Sequence, residues 1–153
     1  MSVIEEKLNE MGYSLPTPPG PGGNYVPAVR VGNLVFLSGV TPRRPDGGSF
    51  AGKLGRDLSV DEGYEAARIC GLYLLANLKQ EIGDLDKVTR IVKLLGMVNS
   101  DPDFTQPPAV VNGCSDLFVE LYGDRGRHAR SAVGLATLPG GVAVEIEAII
   151  EVS

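Results

Sequence analysis

The stretch RSAVGLATLPGGVAVEIEAII, residues 130–150, decides the fold because it carries the clearest strand pattern in the chain. Apolar residues dominate both ends of the stretch, and the turn-forming sequence Leu-Pro-Gly-Gly lies between them. This pattern predicts two strands, over 130–137 and 142–152, joined by a tight turn into a hairpin. In the second strand, apolar residues alternate with Glu145 and Glu147, which predicts one apolar face and one face that carries carboxylates.

The chain before residue 130 predicts two long helices and three more strands. A Gly32-Asn33 turn between two apolar runs predicts a first hairpin. Ser59 and Glu62 form an S-x-x-E capping box at the start of an apolar stripe with helical spacing. The predicted elements, in chain order, are strands near 26–31 and 34–38, a helix near 60–82, a strand over 88–98 and a helix near 108–122.

The first 24 residues predict a separate extension. Apolar residues at near-helical spacing over 2–12 predict a short amphipathic helix. The sequence LPTPPGPGGN that follows is mostly proline and glycine, which predicts an extended arm without regular pairing. We therefore divide the chain into an N-terminal helix and Pro/Gly-rich arm, residues 1–24, and one domain, residues 25–153.

The element order ββαβαββ predicts an α+β sandwich in which two helices cover one face of a mixed sheet. By strict alternation, strand 88–98 places Ile91 and Leu94 on opposite faces, so both faces keep apolar area. A sheet with an uncovered apolar face is expected to bury that face against another copy of the chain. The sequence therefore predicts an oligomer.

Composition and charge fit one globular domain that does not bind nucleic acid. The 153 residues carry 14 basic and 19 acidic side chains, and the net charge of −5 does not attract a polyanion. The chain has neither a basic, apolar leader nor an apolar run long enough to span a membrane, so we expect a cytoplasmic protein. Cys70 and Cys114 lie in apolar helical patterns and are expected to be buried free thiols.

Common cofactor motifs are absent from the sequence. It contains no C-x-x-C pair, H-E-x-x-H, Walker sequence, G-x-G-x-x-G or G-x-S-x-G. Their absence argues against zinc-binding, nucleotide-binding and serine-hydrolase sites. The arginines of the loop TPRRPDGGSFAGKLGRD, residues 41–57, predict a solvated rim.

Three segments resemble the RidA/YjgF family, whose members also carry the name L-PSP endoribonuclease. They are NYVPAVRVGNLVFLSG at 24–39, VVNGCSDLF at 110–118 and RSAVGLATLPGGVAVEIEAI at 130–149. The resemblance runs from about Gly22 to Val152, and its closing string is the most specific part. It implies a chorismate-mutase-like fold and a homotrimer with clefts between subunits. It also implies cofactor-independent hydrolysis of enamine and imine products of serine and threonine dehydratases to 2-oxo acids and ammonia.

The resemblance assigns two residues to the chemistry. Arg130 matches the family's carboxylate-binding arginine, and a guanidinium can hold a carboxylate through two parallel hydrogen bonds. Glu145 matches the family's acidic residue, and a carboxylate in a partly dry cleft can deprotonate the water that attacks an iminium carbon. From the residues alone, both would equally suit hydrogen bonds in a subunit interface. Glu147 is expected to have a structural role.

Five further positions match residues that line the family's cleft or contact its substrate. Gly39, in the strand-end Ser-Gly pair, would let a substrate approach the main chain closely. The matching positions are Tyr25, Ser38, Gly39, Asn112 and Ala132.

Two departures from the family pattern leave the function open. Ala132 stands where many members have cysteine, and Val40 where they have glutamine, so the pocket is less polar. A second candidate function is therefore a trimer that binds a small carboxylate metabolite without turning it over. A third candidate is ribonuclease activity. Metal-free RNA cleavage by a pair of histidines needs an acid and a base, and His128 is the sole histidine of the chain.

Overall fold

The computed structural model describes residues 2–153, in which three helices pack on a five-stranded sheet. The elements are α1 (Val3–Glu10), β1 (Ala28–Val31), β2 (Leu34–Val40), α2 (Val60–Ile82), β3 (Val88–Asn99), α3 (Pro107–Tyr122), β4 (Ala129–Leu135) and β5 (Val144–Val152). The predicted α+β class and the order ββαβαββ after the N-terminal helix are confirmed.

The strands form one mixed sheet in the order β1-β2-β5-β3-β4, in which only β3 and β4 are parallel neighbours. The predicted hairpin of the last two strands is wrong, because β3 lies between them. Residues 136–143 cross the end of β3, where the Asn99 N–H donates to the Ala143 carbonyl over 2.9 Å. This connection includes a 3₁₀ turn at Pro139–Gly141 and is longer than the two-residue loops that force adjacent strands to pair.

The alternation predicted for β5 is confirmed. Val144, Ile146 and Ile150 are fully buried against the helices, whereas Glu145 is half-buried and Glu147 exposed on the other side. The helix-facing side of the sheet is therefore the core, and the opposite side, called here the open face, carries the carboxylates.

Strict alternation fails in β3. Its register with β5 shifts between Ile91 and Lys93, and Ile91 and Leu94 are both fully buried. The prediction that these two side chains lie on opposite faces is wrong, because an irregularity of this kind reverses the face on which the following residues lie.

Close contact between α2 and α3 completes the core. The predicted capping box starts α2: the Glu62 N–H donates to Ser59 Oγ over 3.2 Å, and the Ser59 N–H donates to Glu62 Oε1 over 3.1 Å. Gly113 of α3 lies against the Tyr64 carbonyl of α2, where any Cβ would overlap that oxygen. The glycine thereby lets the two helices approach closely over the sheet.

The thiols of both long helices are buried, as expected. Cys70 and Cys114 are free, and burial raises the pKa of each thiol above its ordinary value. None of the helices described over residues 2–153 has the length and apolar character needed to cross a membrane.

The N-terminal helix is fastened to the rest of the chain through Asp86. The Asp86 carboxylate accepts hydrogen bonds from the N–H groups of Val3 and Ile4 at 2.9 and 3.0 Å. Ile4 and Leu8 join the hydrophobic core. The arm over 13–24 contains neither helix nor strand, and the domain boundary at residue 24 stays a prediction.

Large apolar side chains are exposed on the open face. Val29 is 49% exposed, and Phe36 and Val133 are each 42% exposed. Phe36 pairs across the strands with Val29 on one side and Ile149 on the other, so the patch extends over three neighbouring strands. An apolar second face is therefore present, but it is centred on β1, β2 and β5 and not on β3, whose alternation was the basis of the prediction.

Candidate functional site

A cleft of about 470 Å³ opens where β2 ends, beside the side chain of Glu145. The register between β2 and β5 shifts between Leu37 and Val40, so Ser38 and Gly39 lie at an irregularity. A Cβ on residue 39 would lie 2.9 Å from Glu145 Oε2. Glycine at this position therefore leaves the space that the Glu145 carboxylate occupies.

The arm and the start of the domain form one wall of this cleft. Residues 19–22 line it, and the Gly22 N–H donates to the Tyr25 hydroxyl over 3.2 Å. Ser38 Oγ donates to the Val26 carbonyl over 2.7 Å. We call this space the Glu145 cleft. It brings together four of the predicted site residues, namely Tyr25, Ser38, Gly39 and Glu145.

The surroundings of Glu145 favour its neutral form. Burial, together with the charge of Glu147, raises the pKa of the Glu145 carboxyl above its ordinary value. Within residues 2–153 no cation forms an ion pair with it, and no three His, Cys, Asp or Glu side chains converge as metal ligands do. A carboxyl whose pKa is raised toward neutrality is better matched to proton transfer at physiological pH.

Arg130 lies outside the Glu145 cleft, on the helix-facing side of β4. Its register partner on β3 is the fully buried Leu94. Arg130 Nη1 donates to Asn112 Oδ1 over 2.8 Å and to Ser115 Oγ over 3.1 Å, both on α3. Ala132, two residues further along β4, packs against the core on the same side. The structure therefore gathers the predicted residues Arg130, Asn112 and Ala132 at a second place.

His128 orients the hydroxyl that Arg130 contacts. Its Nδ1 lies 2.7 Å from the Gly126 carbonyl, which can only accept, so the hydrogen-bond network assigns the proton to Nδ1. Ser115 Oγ lies 2.9 Å from Nε2 and therefore donates to the imidazole while it accepts from Arg130. Burial lowers the pKa of His128, which favours the neutral ring that this arrangement needs. We call Arg130, Asn112, Ser115 and His128 the Arg130 group.

The two places lie on opposite faces of the sheet within one copy of the chain. Glu145 pairs with Met97 on β3, and Met97 pairs with Val133, which is exposed on the open face. Arg130 instead shares its register position with Leu94, on the core side. One copy therefore does not bring Arg130 and Glu145 into a single cleft.

Both places contain polar residues that the sequence did not single out. Ser115 lies one helical turn after Asn112, and this spacing on one face of α3 could have indicated it. Arg43, predicted to belong to a solvated rim, is exposed but also lines the Glu145 cleft. Asn77 of α2 lines it too, and its Oδ1 is buried without a hydrogen-bond partner among residues 2–153. No local pattern distinguishes this asparagine within an apolar helix.

Residues 5–143 match the family described as YjgF/chorismate mutase-like, a description that adds an endoribonuclease label. The chain belongs to this family. The match spans the Arg130 group and the β2 side of the Glu145 cleft, and it ends just before Glu145.

Known relatives of this YjgF-like chain differ in what their names state. Protein TCP17 of Trypanosoma cruzi is 44% identical over 151 residues, which cover 98% of this chain and 94% of TCP17. The 2-iminobutanoate/2-iminopropanoate deaminase of Salmonella typhimurium is 34% identical over 127 residues, covering 83% and 86% of the two chains. The chain is thus similar both to a named imine deaminase and to a protein whose name states no activity.

Solved structures support the same fold. Atu1372 from Agrobacterium tumefaciens, described as a protein with unknown function, is 42% identical with a TM-score of 0.92, covering 99% of this chain and 93% of its own. E. coli TdcF with bound serine is 29% identical with a TM-score of 0.62, covering 89% and 94%. The N-terminal helix and arm are therefore within the region that Atu1372 shares.

Proposed function

We propose that this protein hydrolyses small imines of 2-oxo acids, without a cofactor, in clefts between neighbouring copies of a homotrimer. The observation that carries the proposal is the division of the polar residues between two faces of the sheet. The Arg130 group suits the binding of a carboxylate, and the Glu145 cleft suits the transfer of a proton. Similarity to 2-iminobutanoate/2-iminopropanoate deaminase supports the choice of imines as substrates.

The open face supports assembly. Its exposed apolar patch around Phe36 is of the kind that proteins bury against a partner, and a closed ring repeats one contact on every copy. In the proposed trimer, the Arg130 group of one copy faces the Glu145 cleft of the next. The two free thiols fit a reducing, cytoplasmic compartment.

Arg130 has one edge left for a ligand. Asn112 and Ser115 occupy Nη1, whereas Nε and Nη2 donate to no atom within residues 2–153. These two nitrogens lie on one side of the planar guanidinium and can form two parallel hydrogen bonds to a carboxylate. The contacts on Nη1 fix the plane of the guanidinium, and therefore the orientation of the carboxylate that it binds.

Glu145 can carry the proton in both halves of the reaction. It takes a proton from water as the water oxygen bonds to the iminium carbon, which gives a carbinolamine. It returns that proton to the amino nitrogen, the C–N bond breaks and ammonia leaves. The hydroxyl proton then passes through Glu145 to ammonia, so one iminium carboxylate and one water give one 2-oxo acid and one ammonium ion. The raised pKa of Glu145 suits both transfers.

A second candidate function is the binding of a carboxylate metabolite without turnover. Ala132 and Val40 support it, because both pack against the apolar core and place no polar side chain beside a ligand. Bound serine in the related TdcF is compatible with either function. An endoribonuclease function has less support, because His128 is the sole histidine and is already bonded to Ser115 and Gly126.

Mixing two inactive variants tests the shared cleft. Arg130→Ala removes the guanidinium that binds the substrate carboxylate, and Glu145→Gln removes the base. Each variant alone should therefore release 2-oxo acid at the background rate. The imine is generated in situ by an amino-acid oxidase. After dissociation and reassembly of an equal mixture, a cleft is complete only when it combines Glu145 of the first variant with Arg130 of the second. Random mixing of identical interfaces completes about a quarter of the clefts.

Each outcome separates the candidate functions. Recovery of about a quarter of wild-type activity supports catalysis between copies. No recovery, beside an active wild type, contradicts the shared cleft. No acceleration by wild type, together with saturable binding of a 2-oxo acid that is lost in Arg130→Ala, identifies a metabolite-binding protein.

A further inference from the structure

The Glu145 cleft contains a cation that the proposed reaction does not use. Among the described residues that line it, Arg43 and Glu145 are the two that carry charge. They do not pair with each other, and within residues 2–153 the Arg43 guanidinium forms neither an ion pair nor a hydrogen bond. An arginine whose donors are all free at the edge of a ligand-sized cleft suits the binding of an acidic group.

The main chain around Arg43 is held in place. The Arg43 N–H donates to the Thr41 carbonyl over 3.1 Å, and Arg43 pairs with Ser49 in an isolated bridge. Gly39, beside Glu145, lies only four residues away, so the two backbone positions are at most about 14 Å apart. The Arg43 side chain can therefore reach a ligand whose other end lies at Glu145.

Arg44 differs from Arg43 in its contacts. The Arg44 guanidinium lies 3.9 Å from the centre of the Phe50 ring; Arg44 lines a neighbouring groove but does not line the Glu145 cleft. The two neighbouring arginines thus provide a matched pair, one free at the cleft and one stacked on an aromatic ring.

The cleft is larger than the smallest imino acids require. It shares the lining residues Pro19, Arg43 and Tyr73 with an adjoining groove of about 790 Å³ between the arm and α2. Ligand sites bury most of the ligand surface, and a three-carbon imino acid would leave most of this space to water. Asn77 adds a carboxamide to the lining of the Glu145 cleft.

We propose that Arg43 binds a second acidic group of the substrate, so that the preferred substrates are imines of amino acids whose side chain ends in a carboxylate. The inference rests on the proposed function, because Arg130 of the neighbouring copy and Glu145 define where the reacting end lies. The substrate then lies between two guanidinium groups, one for each carboxylate. Two cations also offset the repulsion that a doubly negative substrate meets at the carboxylates of the open face.

The test compares imines of glutamate, aspartate and alanine, each generated in situ by an amino-acid oxidase. Wild type should show a higher kcat/KM for the two acidic imines. In Arg43→Gln, the ratio of kcat/KM for the glutamate imine to that for the alanine imine should fall about tenfold, the lower end for one hydrogen bond to a charged group, because Arg43 is exposed. Most of the fall should be in KM. Arg44→Gln should keep the wild-type ratio, and Arg43→Lys should restore part of it.

Several results would overturn the inference. One is a wild type without preference for acidic imines, and another is an equal loss for both substrates in Arg43→Gln. Calorimetric binding of 2-oxoglutarate and pyruvate separates this inference from the proposed function. If no imine is turned over, tighter binding of 2-oxoglutarate that is lost in Arg43→Gln still supports the Arg43 site. Equal binding of the two acids contradicts it.

Discussion

Removal of the Ser115 hydroxyl is predicted to weaken carboxylate binding while the protein stays folded. Ser115 Oγ accepts from Arg130 Nη1 over 3.1 Å and donates to His128 Nε2 over 2.9 Å. In Ser115→Ala, Nη1 keeps one acceptor, Asn112 Oδ1 at 2.8 Å, and Nε2 loses its donor. Residue 115 is only 9% exposed, so water replaces the hydroxyl poorly. The guanidinium should then sample more orientations.

The expected effect is about tenfold in affinity. Hydrogen bonds to charged groups contribute about 1.5–3 kcal/mol. The lower end applies here, because Arg130 is only partly buried and keeps its bond to Asn112. About 1.5 kcal/mol corresponds to roughly a tenfold increase in Kd. Ser115 does not line the Glu145 cleft, so KM should rise while kcat at saturating substrate changes little.

Calorimetry with a 2-oxo acid measures Kd, and steady-state kinetics separates KM from kcat. Thr105→Ala, which removes an exposed hydroxyl just before α3, is the control and should match wild type. Asn112→Ala removes the other acceptor of Nη1. Because each acceptor holds Nη1 in the absence of the other, the double variant should lose more than the sum of the single losses.

Two results with the Ser115→Ala, Asn112→Ala and double variants would contradict this prediction. If Ser115→Ala binds the 2-oxo acid as tightly as wild type while Asn112→Ala does not, the hydroxyl does not position Arg130. If all three variants bind the 2-oxo acid like wild type, the contacts of Arg130 with α3 do not contribute to carboxylate binding. The proposed carboxylate-binding role of the Arg130 group is then wrong.

Three further changes test the Glu145 cleft and the open face. Gly39→Ala puts a Cβ 2.9 Å from Glu145 Oε2, so the carboxylate must move, and kcat should fall about 10- to 100-fold while circular dichroism is unchanged. Burial and the charge of Glu147 raise the pKa of Glu145 in the folded protein above its value in the unfolded chain. The folded protein therefore loses stability as the pH rises through that raised pKa and Glu145 ionises. Glu145→Gln cannot ionise, so it should raise Tm at pH 8 and leave Tm unchanged at pH 3.5. Phe36→Asp charges the apolar patch, and light scattering should show a mass nearer the 16.2 kDa of one chain than wild type does.

The sequence predicted the helices, the strands and the faces of β5 well because these depend on local patterns. The faces of β3 were predicted wrongly, because its register shift against β5 leaves no local pattern. The Ser59 capping box and the turn at Gly32-Asn33 are set by a few neighbouring residues, and both are present in the structure. The order of strands in the sheet depends on contacts between distant segments instead. Nothing within 130–152 shows that β3 inserts between β4 and β5, so the hairpin prediction failed.

The site could be predicted only in part. The family resemblance supplied Arg130 and Glu145, and periodicity put Glu145 on the carboxylate-bearing face. Which face Arg130 occupies follows from the register of β4 on β3, which is a property of the whole sheet. Arg43 could not be distinguished from its neighbour Arg44 by sequence, because both are exposed loop arginines and only their packing differs.

In the proposed reaction, a carboxylate substrate approaches a protein of net charge −5 and enters a cleft that contains Glu145. A Glu145 carboxyl with an ordinary pKa would be fully ionised near neutral pH and would repel that substrate. Burial and Glu147 raise the pKa of Glu145 above its ordinary value, which brings the base closer to the pH at which it must exchange protons. In the proposed trimer, a bound negative substrate would raise that pKa further, and Arg43 together with Arg130 of the neighbouring copy would lower it again and so keep Glu145 able to act as a base. In the proposed site, the positions of the guanidinium groups therefore help to set the pKa of Glu145, and the two cannot be changed independently.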